Sequence, residues 1–220
     1  NRNKRGMVVN LKTEEGRDVL QKLAMQSDVL VENFRPGTLK KFGLDFETLH
    51  ELNPRLIYCS ISGFGQTGSL KDMPGYDFMI QAMGGIMSVT GEPEGEPMKV
   101  GVAVADLFAG QNAVISILAA LQARMFTGEG QFIDIALFDS ELGWLANVAS
   151  NFLVSGKNPK RYGNAHANIV PYQSFQARDG WFVVAVGNDK QFESFCRVIG
   201  KPEFSADERF STNSARVQNR

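Results

Sequence analysis

The sequence predicts an α/β protein: a parallel sheet with helical crossovers, followed by part of a smaller α+β unit. Three observations carry this. Between residues 7 and 61, three short runs rich in β-branched residues alternate with helix-patterned stretches, and parallel strands require such crossovers. A long apolar helical stretch over 107–126 then leads into an alternating run at 131–137. Beyond residue 155 the chain turns polar and basic, and a hairpin with an Asp-Gly turn replaces the strand-helix alternation.

The elements follow in order. Met7 to Leu11 reads as a strand. Thr13 caps a helix with Glu14 and Glu15 in its first turn, and Val19, Leu20, Leu23 and Ala24 form its apolar face. Residues 28–32 and 56–61 read as strands, with short helices at 38–42 and 46–52 between them. Residues 77–88 form a helix closed by Thr90-Gly91, and 92–97 a polar Gly/Pro loop. Leu107 to Phe126 is a buried helix, Gln131 to Leu137 a strand, and Ser140 to Val154 another apolar helix. The hairpin pairs 173–177 with 181–186, and Lys190 to Ile199 is a helix before Gly200.

Bulk properties narrow the function classes. Hydrophobic content of 43% and charged content of 21% are those of a globular protein. A net charge of −1 with no run of five like charges disfavours wholesale nucleic-acid binding. No apolar stretch is read as reaching the roughly 18 residues that span a bilayer, so no membrane partner is expected. Cys59 and Cys196 read as core thiols and suggest a reducing compartment. The chain opens without a methionine and stops in a polar stretch, so both ends look cut.

In parallel sheets, ligands sit beyond the carboxyl ends of the strands. Those ends are Lys12, Asn33-Phe34-Arg35 and Ser62-Gly63-Phe64. Arg35 could reach a phosphate, Phe34 could stack on a base and Asn33 could hydrogen-bond, with Lys12, Lys40 and Lys41 nearby; a strand-to-helix turn explains the same residues. Asp106, between Gly101 and Gly110, precedes the long apolar helix. It reads as an N-cap, and a capped carboxylate held ionised and fixed in direction also suits a nucleophile. Asp77 reads as the N-cap of its own helix. His166 lies in a polar loop, where a lone histidine is ordinarily structural or solvated. The sequence offers no metal-ligand cluster and no phosphate-binding glycine loop.

Taken together, Asn3-Lys4-Arg5, Asn10 to Thr13, Val31 to Gly37, Leu52 to Ile57, Ser62 to Gly65, Gly75-Tyr76-Asp77, Thr90-Gly91, Ile117 to Leu121 and Thr127 to Gln131 closely resemble the family III CoA-transferases. This group includes formyl-CoA and carnitine CoA-transferases. The resemblance implies a large Rossmann-like CoA-binding domain over 1–137, a helix and linker over 138–164, and the start of a small domain over 165–220. It places the family's catalytic aspartate on Asp106, which forms aspartyl anhydrides and an aspartyl-CoA thioester. CoA contacts fall on Val9, Asn10, Leu11, Lys12, Asn33, Phe34, Arg35, Lys41, Met73, Gly75 and Tyr76. Pro74 and Ser62 replace lysines of formyl-CoA transferase. Tyr76, Leu137, His166, Ala167 and Asn168 are the implied acyl-group contacts, and the segment from Arg161 to Gln173 is similar to dicarboxylate-using members. The substrates would be an acyl-CoA and a carboxylic acid, with no permanent cofactor or metal. The resemblance also implies an interlocked homodimer of chains about twice this length, in the cytoplasm or, in a eukaryote, the mitochondrion.

Two other functions compete. α-Methylacyl-CoA racemases share the fold but carry histidine where this chain has Tyr76; a tyrosine is a weak α-proton base at neutral pH. A CoA-binding module without catalysis is the third reading.

Overall fold

The computed structural model describes residues 2–220. In chain order the elements are α1 (Glu14–Met25), β1 (Val29–Glu32), α2 (Phe46–Leu52), β2 (Ile57–Ser62), α3 (Asp77–Gly84), α4 (Ile86–Val89), α5 (Val104–Thr127), β3 (Phe132–Ala136), α6 (Leu137–Trp144), α7 (Ala146–Ser155), β4 (Tyr172–Gln176), β5 (Trp181–Ala185), α8 (Asp189–Val198) and α9 (Asn213–Gln218). They form two units: residues 2–86 with 99–146, and residues 87–98 with 147–220.

The first unit is a parallel sheet in the order β1-β2-β3, with helices on both faces. Side chains alternate across the middle strand, as strand geometry requires. Leu56 and Tyr58 face a core with Ala24, Leu39, Leu44 and Leu49. Cys59 packs with Ile80, Ala105, Ala109, Ala113, Ile135 and Leu137. Small residues on α5 let its backbone lie close to the sheet. The Thr13 hydroxyl accepts the Gly16 N–H at 3.2 Å, so α1 starts where the sequence places it. Arg124, near the end of α5, pairs with Asp28 at 2.7 Å and donates to the Arg55 carbonyl at 2.8 Å.

Several expectations need correction. Met7 to Leu11 is not a strand; no described strand lies beside it, and an unpaired ladder edge gains nothing from the β conformation. The helix expected over 77–88 breaks at Gly85, whose φ of +101° is accessible to glycine. The helix expected over 140–154 breaks where Ala146 takes φ of +45°. The long helix begins at Val104, three residues before Leu107. At 24 residues it is, by length and composition alone, apolar enough to cross a membrane, contrary to the sequence reading. A helix packed on a sheet passes the same test, and α5 contacts β2 and β3.

The second unit contains the antiparallel pair β4-β5 and a core of Val186, Phe192 and Cys196. Its Ala177–Gly180 turn closes with the Ala177 N–H donating to the Gly180 carbonyl at 2.7 Å. Both cysteines are fully buried. Arg216, 1% exposed, donates to the carbonyls of Val170 and Phe210 at 2.7 Å each and to Asp189 at 2.8 Å. That network accommodates a charge that would otherwise be costly to bury.

Candidate active site

At the carboxyl end of the parallel sheet lies a cleft of about 700 Å³. It is assembled from three chain turns. The first follows β1 and presents Asn33, Phe34 and Arg35. The second follows β2 and presents Ser62 and Gly63; the third precedes α3 and presents Met73, Pro74, Gly75, Tyr76 and Asp77. The second and third turns touch backbone to backbone, since a Cβ on Gly63 would lie 2.5 Å from the Gly75 Cα. Any side chain at either position would push the cleft walls apart. Asp106 and Gly110 of α5 and Leu137 at the start of α6 complete the lining.

Of the predicted contacts, Asn33, Phe34, Arg35, Met73, Gly75, Tyr76, Asp106 and Leu137 therefore meet in one cleft. Val9, Asn10, Leu11, Lys12 and Lys41 lie outside its lining. Asn10 instead turns the chain ahead of α1, accepting the Lys12 N–H at 3.1 Å. His166, Ala167 and Asn168 lie in the second unit, against a separate pocket of about 460 Å³ that also carries Lys157 and Lys160. There His166 Nδ1 accepts the Asn168 N–H at 3.0 Å, and Asn168 pairs with Asn151 through two amide hydrogen bonds of 2.9 and 3.1 Å.

The setting of Asp106 differs from the sequence expectation. It is not the N-cap of α5. Ala103 takes that position and has no capping side chain. Asp77, expected to cap its own helix, reaches across to do this work. Its Oδ1 accepts the Ala105 N–H at 2.8 Å and, more weakly, the Asp106 N–H at 3.5 Å. Asp106 thus sits in the first turn of α5, fixed through its backbone, with its residue exposed to the cleft. Its carboxyl is raised from the ordinary aspartate range, first by desolvation against the cleft wall and then by the charge on Asp77.

Two residues of this arrangement carry no signal in the sequence. Gln81, fully buried on α3, donates to Asp77 Oδ2 at 2.7 Å and accepts the Val100 N–H at 2.8 Å. It ties the approach to α5 back to α3. Glu141, 1% exposed on α6, accepts the Ile86 N–H at 3.3 Å through Oε1, while its Oε2 has no partner. Gly84 leaves it room: a Cβ there would come within 2.6 Å of that oxygen. Burial, with Asp77 adding, pushes the Glu141 carboxyl up to about 7. Neither residue belongs to a recognisable motif, and only the folded chain shows what each is bonded to.

A carboxylate oriented from the first turn of a helix, over a cleft that also holds an arginine and an aromatic ring, can act as a nucleophile toward an anionic substrate with a flat ring. The family model described as CoA-transferase family III matches residues 1–220. The chain belongs to this family. It is 52% identical over 217 residues to a succinate–glutarate CoA-transferase of Agrobacterium fabrum, covering 99% of this chain and 54% of that protein. It is 45% identical over 220 residues to an acetyl-CoA:oxalate CoA-transferase of Acetobacter aceti, covering all of this chain and 57% of that protein. A crystal structure of a CAIB/BAIF family protein from Brucella suis superposes with a TM-score of 0.83 at 56% identity, covering the whole chain and 58% of that structure. The chain spans about half the length of the curated relatives it matches. These relatives are CoA-transferases, which favours neither a racemase nor a module without catalysis.

Proposed function

We propose that the protein moves coenzyme A from an acyl-CoA thioester to a carboxylic acid, with Asp106 as the covalent carrier. The observation that carries this reading is the shared cleft of Asp106, Arg35 and Phe34 at the carboxyl edge of the sheet. The Asp106 carboxylate attacks the thioester carbonyl, the C–S bond breaks, and an aspartyl acyl anhydride forms with CoA thiolate. The thiolate attacks the aspartyl carbonyl of that anhydride and expels the donor acid as its carboxylate, leaving an aspartyl-CoA thioester. The acceptor carboxylate attacks this thioester to give a second anhydride and thiolate. Attack of the thiolate on the acceptor's carbonyl yields the new acyl-CoA and frees the Asp106 carboxylate. No net proton is exchanged and no metal is required. Splitting the exchange into steps between activated acyls lowers each barrier.

The lining holds one cation, Arg35, against the carboxylates of Glu32, Asp77 and Asp106. The CoA phosphates would therefore lie toward the Arg35 rim, away from the acids. The acids handled by the two relatives above include glutarate, succinate and oxalate, all dicarboxylates. The acceptor here would be of the same class. The protein would act as a homodimer, with a second copy covering the exposed apolar stripe of Leu107, Val114, Leu118 and Met125 on α5.

The test is chemical trapping in the whole protein. Succinyl-CoA followed by hydroxylamine should convert Asp106 to its hydroxamate, located by peptide mass spectrometry, and D106A should abolish both label and transfer. Undiminished transfer by D106A would sink the reading.

A further inference from the structure

The last residue of β1, Glu32, and its neighbours in register form a polar row across the sheet. Glu32 lies opposite Ser60 on β2, and Ser60 lies opposite Asp134 on β3. The row stands at the carboxyl edge, directly beneath two of the three turns that build the cleft. Each member is engaged with a turn or with its neighbour. Glu32 Oε2 accepts the Phe34 N–H at 2.7 Å. Glu32 Oε1 accepts from the Ser60 hydroxyl. The Ser60 oxygen, 1% exposed, in turn accepts from the Gln66 side-chain amide at 2.7 Å. The Gln66 N–H closes the row by donating to Asp134 Oδ2 at 2.8 Å. Gly65, with φ of +81°, lies over the same carboxylate, 3.3 Å from it at the Cβ position.

We infer that Glu32 is a positioning residue for the nucleotide end of CoA, holding the Phe34–Arg35 turn against the sheet through Ser60 and Gln66. The inference rests on the reading of the cleft as a CoA site. Glu32 touches neither the thioester nor the nucleophile. What it fixes is the backbone of the residue whose ring would stack on the base and whose neighbour would meet the phosphates. A charged acceptor on a backbone N–H is among the stronger hydrogen bonds of a protein, so the turn is held before ligand arrives. Tying the turn after β1 to that after β2 makes the two walls one rigid body, which lowers the ordering cost of binding.

The experiment compares two thioesters of the same acyl group in the whole protein: acyl-CoA, and acyl-pantetheine, which lacks the nucleotide. E32A should raise KM for acyl-CoA about tenfold, equivalent to ~1.4 kcal/mol, with kcat changed by less than about twofold. KM for acyl-pantetheine should stay at its wild-type value. E32Q should lie nearer wild type, because its amide can accept from Phe34 and donate to Ser60 while Gln66 turns over. An equal rise in KM for both thioesters, or a fall in kcat with KM unmoved, would overturn the assignment. If the wild-type protein itself treats the two thioesters alike, the nucleotide subsite is not in this cleft and the assignment goes with it.

Discussion

Asp106 and Glu141 are both acids raised by burial, with opposite consequences. In the proposed cycle Asp106 must ionise to act, so its raised pKa would bring the acid limb of the activity profile above the ordinary aspartate range. Glu141 does no chemistry in the proposed cycle, and its carboxyl is cheaper to fold when protonated. Its folded pKa of about 7 lies above the ordinary glutamate value. It therefore favours folding fully below that ordinary value, and the benefit is lost as pH rises through about 7. E141Q is neutral throughout. It should be more stable than wild type by on the order of 1–2 kcal/mol at about pH 8 and equal to it at about pH 4. Thermal melts at the two pH values check this; a difference independent of pH would show that the Glu141 pKa is the same in the folded and unfolded chain.

At the scale of elements, the start of α5 decides where the proposed nucleophile, Asp106, stands. Asp77 supplies the cap that Ala103 lacks and also repels the Asp106 charge. The variant D77N keeps an acceptor for the Ala105 N–H but removes the charge. Its acid limb in kcat/KM should move to lower pH, by part of the total shift only, since burial is the larger cause. D77A should keep that displacement and add a stability loss of about 1 kcal/mol from the missing cap. A limb that stays in place in D77N would exclude Asp77 as a source of the raised pKa. Most elements were legible in the sequence. The Thr13 cap, the apolar faces and the Asp-Gly turn act locally, and the structure keeps them. What failed depended on partners distant in sequence. Met7 to Leu11 has strand composition but no neighbour, and a ladder needs two edges. Asp77 and Asp106 were each assigned to the helix beginning beside them, because a cap donated from 28 residues away leaves no local pattern. The turns after β1 and before α3, which the sequence singled out, line one cleft; Gln81, which bonds Asp77 from the core, and Glu141, buried on α6, left no such pattern.

For the whole molecule, the longest helix presents an apolar face to the surface. Val114, Ile115 and Leu118 on α5 are each more than half exposed, as are Met125 and Phe126 at its end. A stripe of that kind is ordinarily covered. Light scattering on the whole protein should give a dimer, and charged substitutions such as L118E should shift it toward monomer. A monomer at micromolar concentration would mean that other residues of the same chain cover the stripe. The central claim, however, is that Asp106 carries the cargo covalently. The direct measurement is mass spectrometry of the whole protein quenched during turnover with acyl-CoA and then treated with hydroxylamine. The account predicts a hydroxamate on the peptide containing Asp106 and none in D106A. Full turnover with that peptide unmodified would contradict it.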